Sequence, residues 1–150
     1  MDMEILTIKQ VRIYDFWLLI SYWGIRWKVY IRECKRKITD EFIFSDITAN
    51  HYILLKGKQG IGIARVICKE GTAELGRIAI VKEYRNHGYG TELINQMITK
   101  IENSNKAKII SLFATEGALI TFYKKFGFIE YDKFYFNDIP HINMVKRIDE

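Results

Sequence analysis

The sequence predicts an α+β chain with one mixed, mostly antiparallel central sheet flanked by helices on both faces. Three observations predict it. Strand patterns joined by short glycine turns cluster in the first half, which suits antiparallel hairpins. Strand and helix patterns alternate in the second half, which suits crossover connections. Between them a glycine loop runs from a strongly apolar strand straight into an amphipathic helix.

Residues 3–8 read as a first strand. Residues 14–35 read as one long helix, or two broken near Gly24, with Phe16, Ile20, Trp23, Trp27, Tyr30 and Cys34 at helical spacing as its packed stripe. Residues 39–45 read as loop and 51–55 as a strand. Lys56-Gly57-Lys58-Gln59-Gly60 is then a hairpin turn into a central strand over 61–68. Glu70-Gly71 turns the chain into another strand over 72–81. Arg85 to Gly90 forms the glycine loop, and Tyr89, Leu93, Met97 and Ile101, widened by Ile94 and Ile98, mark a helix that ends at 103–105. A strand over 108–114 and a helix over 118–126 follow, the helix stopped by Gly127. Strands over 128–136 and 142–147 flank a turn at Asp138-Ile139-Pro140-His141.

The length of 150 residues fits a single domain over 1–150. With 49% hydrophobic and 14% aromatic residues it can fill a core, which excludes intrinsic disorder. One proline and ten glycines exclude collagen-like and Pro-rich chains. Residues 14–25 are apolar but interrupted by Asp15, too short for a membrane span and without the flanks of a secretion signal. Cys34 and Cys68 form no CxxC pair and read as small buried hydrophobes, so the chain is expected in the reducing cytoplasm. The net charge of +5 is spread over both halves, and the one dense run, Arg32 to Lys37, reads as a solvated helix end. Such an excess suits a phosphate-rich small ligand. Without a basic stripe or a known motif, nucleic acid ranks low as a partner.

The loop is neither a Walker A loop, since no Gly-Lys-Ser/Thr follows, nor the dinucleotide fingerprint, since Thr91-Glu92-Leu93 brings no third glycine. Its glycines can still expose consecutive N–H groups at the positive end of a helix, an anion nest suited to a pyrophosphate. A tight strand-to-helix turn is the plain alternative.

The segment from Glu74 through Arg77, Ile78, Ala79, Ile80, Arg85 and Gly88 to Gly90 resembles the acetyl-CoA-binding segment of the GNAT superfamily of N-acetyltransferases. Ala118 to Phe128, with Phe122-Tyr123-Lys124-Lys125-Phe126-Gly127-Phe128, is similar to the family's last helix and its ending. Ile25-Arg26, Glu33, Asp46, His51, Gly62 to Arg65 and Ile139-Pro140-His141 extend the likeness, over roughly residues 5–148, to a bacterial subgroup of small uncharacterised members. The resemblance implies the GNAT fold and transfer of acetyl from acetyl-CoA to a primary amine, on a small molecule, by direct attack in a ternary complex.

It also implies roles. Backbone groups of Ile78, Ala79 and Ile80 would hold the pantetheine arm. Amide N–H groups of Arg85, Asn86, His87, Gly88, Tyr89 and Gly90, with Thr91 at the helix start, would hold the pyrophosphate. Glu74 stands where the family often carries a general base, and Tyr123 where it carries the acid facing the coenzyme sulfur. An oxyanion donor would be the N–H of Ile80. Each has a plain alternative: Ile78 and Ile80 as core, Glu74 as a solvated carboxylate, and Tyr123 as an aromatic beside Phe122 and Phe126, whose shared face helical spacing turns it away from. Glu116 departs from the family's Asn or Gln there and puts one cofactor contact in doubt. Glu33, His51 and His141 are candidate substrate contacts. No metal is expected, because the histidines and cysteines lack ligand spacing. The competing reading is a module of the same fold that binds coenzyme A as a sensor without catalysis. No membrane partner is expected, and a homodimer stays open.

Overall fold

A computed structural model describes residues 5–37, 45–115 and 117–148. In chain order the elements are β1 (Leu6–Gln10), α1 (Phe16–Arg26), a π-helical segment (Trp27–Glu33), α2 (Ser45–Thr48), β2 (Asn50–Lys56), β3 (Gln59–Lys69) and β4 (Thr72–Ile80). A 3₁₀ turn (Lys82–Tyr84), α3 (Tyr89–Ser104), β5 (Ile109–Ala114), α4 (Gly117–Lys124), β6 (Ile129–Phe136) and β7 (Ile139–Arg147) complete it. The strands hydrogen-bond in the order β1-β2-β3-β4-β5-β7-β6. β4 and β5 are parallel, whereas β1 with β2, β2 with β3, β5 with β7 and β6 with β7 are antiparallel. The mixed, mostly antiparallel sheet is therefore the expected one.

The chain divides into two compact units, one of residues 1–67 and 77–97, the other of 68–76 and 98–150. In the first, α1 lays Tyr22 and Ile25 against Ile53 and Leu55 of β2, Ile63 of β3 and Ala79 of β4, and the π-helical segment adds Val29. Tyr22, Ile53 and Ile63 are fully buried, each worth about 1.5–3 kcal/mol for an aliphatic or aromatic side chain of this size. Leu54 points to the opposite sheet face by strand alternation and is also fully buried, so both faces of β2 are covered. On α3, Gln96 accepts the Ile8 N–H of β1 at 3.1 Å and donates to Leu6 O at 3.3 Å. Leu93, Ile94, Met97, Ile98 and Ile101 are buried, as their period predicts.

In the second unit, β5 buries Ile110, Leu112 and Ala114 on one face. α3 connects the parallel strands β4 and β5, and α4 leads from β5 to β6. The other face of β5 carries Ile109, Ser111 and Phe113, which keep part of their surface.

Four expectations need correction. The first strand runs to Gln10 instead of ending at residue 8. The long helix changes at Arg26, not at Gly24, and continues as π-helix, with Cys34 N–H bonding Val29 O at 2.9 Å. Its packed stripe is only partly the predicted one: Trp23 and Tyr30 pack on the core, but Phe16, Ile20, Trp27 and Cys34 are exposed, while Tyr22, Ile25, Arg26 and Val29 are buried. Residues 16–20 are all apolar, so periodicity there could not choose a face. The last turn is shorter than read, because Asn137 and Asp138 at φ 50° and 62° make a two-residue hairpin and Ile139, Pro140 and His141 pair within β7. The loop read at 39–45 lies outside the described residues up to 44, and Ser45 begins α2.

Candidate functional site

β4 changes character at Arg77, whose φ of 49° marks it as an irregularity within the strand. Parallel pairing with β5 covers Thr72 to Glu74 and goes no further. Beyond Arg77, Val81 N–H bonds Ile61 O of β3 at 2.9 Å. Strand alternation then sends the polar groups of Ala79 toward β3 and those of Ile78 and Ile80 away from it. Gly62 makes this approach close: a Cβ there would stand 3.0 Å from Ala79 O and 2.7 Å from Ile80 Cδ1. Two side chains hold the outward carbonyls. Tyr30 Oη, carried by the π-helical segment, donates to Ile78 O at 3.3 Å, and Arg85 Nε donates to Ile80 O at 2.8 Å. The strand triplet is thus fixed, with the N–H groups of Ile78 and Ile80 on the same outward side.

The glycine loop leaves the 3₁₀ turn with Asn86 and Gly88 at φ 64° and 84°. The Arg85 N–H is already donated to Lys82 O at 3.2 Å, so it is not one of the loop's available donors, contrary to expectation. Asn86 lies inside a hydrogen-bonded turn; from Gly88 to Thr91 no N–H is donated to a backbone acceptor among the described residues, and the first intrahelical bond of α3 is Glu92 N–H to Gly88 O at 3.2 Å. The His87 ring pairs Nδ1 with Arg85 O at 2.6 Å and stacks on Tyr89. Adjacent N–H groups at the start of a 16-residue helix are oriented as a ligand anion requires, with the helix dipole adding to the attraction.

In the second unit, Glu74 is half-buried and lies directly opposite Ser111, on the sheet face away from buried Ala73 and Leu75. Tyr123 on α4 is 6% exposed, with the rings of Phe122 and Phe128 at 5.4 and 6.1 Å. Its hydroxyl has no hydrogen-bond partner among the described residues, and burial pushes its pKa up to about 12. Tyr123 is the buried ring of this helix, while Phe122 and Phe126 keep part of their surface and pack edge-to-face at 5.1 Å. Glu116 lies outside the described residues.

The three candidate substrate residues are dispersed. Glu33 closes a bidentate pair with Arg85, at 2.9 and 3.1 Å, so its charge is matched. His51 has both ring nitrogens engaged, Nδ1 with Tyr22 Oη at 2.6 Å and Nε2 with Asp46 O at 2.9 Å. Burial lowers its pKa below the usual 6.5 and raises that of Tyr22 to about 12. His141 lies on β7, stacked on Phe134 at 5.2 Å. Cys34 and Cys68 are exposed, not buried as expected.

The sequence reading missed the most buried charges. Arg26, with no exposure, binds Asp46 through both guanidinium nitrogens at 3.0 Å, and Arg65 adds a bond of 2.8 Å to the same carboxylate. An arginine in a helix next to exposed tryptophans gives no signal of burial; only its partner twenty residues on would. The first unit also holds an open groove of about 680 Å³ between α1 (Ser21, Gly24), the π-helical segment (Lys28), the start of β3 (Gln59) and the 3₁₀ turn (Glu83, Tyr84). Lys28 and Glu83 pair across it at 3.0 Å. Among the described residues no group of three metal-binding side chains comes together, and no helix is long and apolar enough to cross a membrane.

Residues 48–130 match the family model described as the acetyltransferase (GNAT) domain. A Bacillus subtilis (strain 168) protein carrying an acetyltransferase name is 31% identical over 131 residues, covering 83% of this chain and 86% of its own length. An acyl-CoA N-acyltransferase of Pseudomonas aeruginosa has a similar fold, with a TM-score of 0.79 at 22% identity over 95% of this chain and 98% of that one. A GNAT acetyltransferase of Elizabethkingia anophelis, solved with acetyl-CoA bound, superposes with a TM-score of 0.68 at 18% identity, over 95% and 98% of the two chains.

Proposed function

This chain belongs to the GNAT acetyltransferase family, and from that premise we propose that it moves an acetyl group from acetyl-CoA to the nitrogen of a small primary amine by direct attack. The observation that carries this reading is the run of N–H groups from Gly88 to Thr91 without backbone acceptors at the start of α3, one short 3₁₀ turn and loop after the strand whose triplet turns its N–H groups outward. That arrangement fits a pyrophosphate followed by an amide-bearing arm.

Acetyl-CoA supplies an activated thioester carbonyl. The residues of the chain do the rest. Glu74 accepts the proton that the amine loses as its nitrogen attacks, directly or through water. The Ile80 N–H donates to the carbonyl oxygen as negative charge develops on it. Tyr123, protonated at every physiological pH because its phenol sits near 12, donates its hydroxyl hydrogen bond to the sulfur as the C–S bond breaks. Arg85 serves through its guanidinium, which ties the loop to Ile80 and Glu33.

The test is a ligand shift. Acetyl-CoA should raise the melting temperature of the protein, and Gly88→Asp should abolish that shift, since it places a carboxylate inside the nest. Each variant is compared with its own unliganded melting point, because any side chain at φ 84° is strained by itself. No shift at millimolar acetyl-CoA in the unaltered protein refutes the reading. A shift without acetyl transfer to a broad amine panel replaces the enzyme with a coenzyme A-binding sensor.

A further inference from the structure

The sheet of the second unit presents an aromatic face that the mechanism does not use. Strand register sorts its side chains. Glu74 lies beside Ser111, Phe113 beside Asn143, and Asn143 beside Asp132, all on one face. One step along, His141 faces Phe134, and one further, Ile139 faces Phe136. Phe113 meets Phe134 edge-on at 5.3 Å, His141 lies flat on Phe134, and Phe136 stands edge-on to His141 at 6.1 Å. These rings are a continuous patch, yet Phe113, Phe134 and Phe136 are 40%, 37% and 55% exposed. Large rings packed on one another and left facing outward mark a binding surface.

By register this face also carries Ser111, His141 and, opposite Ile109, Arg147, while the groups nearest the rings are mostly acceptors. The Asn143 amide oxygen is buried and has no hydrogen-bond partner among the described residues, an unmet acceptor in the row between Phe113 and Asp132. Asp132 and Glu74 are acceptors too. The nearby Lys133 points to the opposite face, where its ammonium lies over Tyr135 at 5.5 Å. Around Asn143 the patch thus combines rings with acceptors. Phe113 stands one strand and two residues from Glu74, roughly 8 Å between Cα atoms in a regular sheet.

We propose that this face selects the acceptor, and that the acceptor is an arylalkylamine: an aromatic ring bearing an O–H or N–H, joined by a two- or three-carbon arm to the reactive amine. The inference rests on the function proposed above. The ring seats against Phe113 and Phe134, as stacked and edge-on aromatic pairs prefer. The arm spans the distance back to Glu74. The ring's O–H or N–H donates to Asn143 Oδ1, which one rotamer step of the short side chain turns toward the ligand. Asn143 and Phe134 are then specificity residues that take no part in the proton transfers.

The experiment measures coenzyme A release by the full chain with tyramine, phenethylamine, spermidine and lysine as acceptors. The two aromatic amines should exceed the aliphatic ones at least tenfold in kcat/KM, and tyramine should exceed phenethylamine several-fold through its hydroxyl. Asn143→Leu should erase the tyramine-over-phenethylamine ratio, lowering kcat/KM for tyramine far more than for phenethylamine, a signature that mere loss of stability does not produce. Phe134→Ala, at an exposed position, should raise KM for both aromatic amines with little change in kcat. Equal or better transfer to spermidine or lysine overturns the inference and leaves the acetyltransferase reading standing. Acetyl-CoA binding without transfer to any amine overturns both. A dimer in sedimentation that Phe134→Ala dissociates, with no change in acceptor preference, assigns the rings to a second copy and overturns the inference as well.

Discussion

Asp46→Asn is the substitution with the largest consequence the structure lets us work out. Asp46 carries the carboxylate shared by two guanidinium groups, with side-chain exposures of 0% for Arg26, 4% for Arg65 and 9% for Asp46. The amide keeps the shape but removes the negative charge, and it replaces two of the accepting lone-pair sites with N–H donors that face donors. Breaking a buried ion pair by neutralising one partner costs about 3–5 kcal/mol, because the charges left behind remain out of water. For a chain of this size each kcal/mol lowers Tm by about 2–4 °C, so a fall of about 10 °C is expected. Urea unfolding should show the same loss as a lower midpoint with an unchanged m-value. Arg26→Met should cost less than Asp46→Asn, since Asp46 keeps Arg65 at 2.8 Å and the new side chain fills a fully buried space. A loss below about 1 kcal/mol for Asp46→Asn would show that the cluster is effectively solvated and that the reasoning fails.

Under the proposed mechanism, Glu74→Gln should spare acetyl-CoA binding and slow transfer, with the deficit shrinking at higher pH as free amine becomes available without a base; parallel pH–rate profiles remove Glu74 from the chemistry. Tyr123→Phe should likewise spare binding while turnover falls by about 10²–10⁴-fold; unchanged turnover removes the hydroxyl from the mechanism. His51 is held neutral by burial, its folded pKa depressed below the unfolded 6.5. The unfolded chain therefore takes up a proton more readily than the folded one. The stability that neutral His51 contributes is present above about pH 6.5 and is lost as pH falls through that value toward its folded pKa. His51→Gln should flatten the slope of Tm between pH 7 and pH 5; an unchanged slope refutes the assignment.

The fold was legible because its strand patterns were written in local chemistry. Glu70-Gly71, both at positive φ, announce a two-residue hairpin, and the Leu93–Ile101 stripe announces the buried face of α3. The glycine loop was legible for the same reason, since Gly88 is where the backbone turns left-handed ahead of the helix. What stayed hidden depends on partners distant in sequence. Arg26 finds Asp46 and then Arg65, Glu33 finds Arg85 fifty-two residues on, and Phe113 finds Phe134 through strand order. None of these pairs leaves a periodic trace. The buried face of α1 was hidden for the opposite reason: with Phe16 to Ile20 apolar in succession, every face looks like the core.

The burial of Tyr123 bears on what its hydroxyl can do. A phenol near 12 lies about 3.5 units above a thiol of ordinary pKa, so complete transfer of its proton to a free thiolate runs uphill by about 5 kcal/mol. The hydroxyl therefore acts by hydrogen-bonding the sulfur while charge builds there, and the thiolate takes its final proton from water. A donor of that kind stays protonated to about pH 11, which gives the rate no alkaline limb of its own in the physiological range. A rise of rate with pH in that range follows the deprotonation of the attacking amine. That separation lets the Glu74→Gln profile be read without correction for Tyr123, and it makes a Tyr123→Phe deficit independent of pH the sign that the two residues act at different atoms.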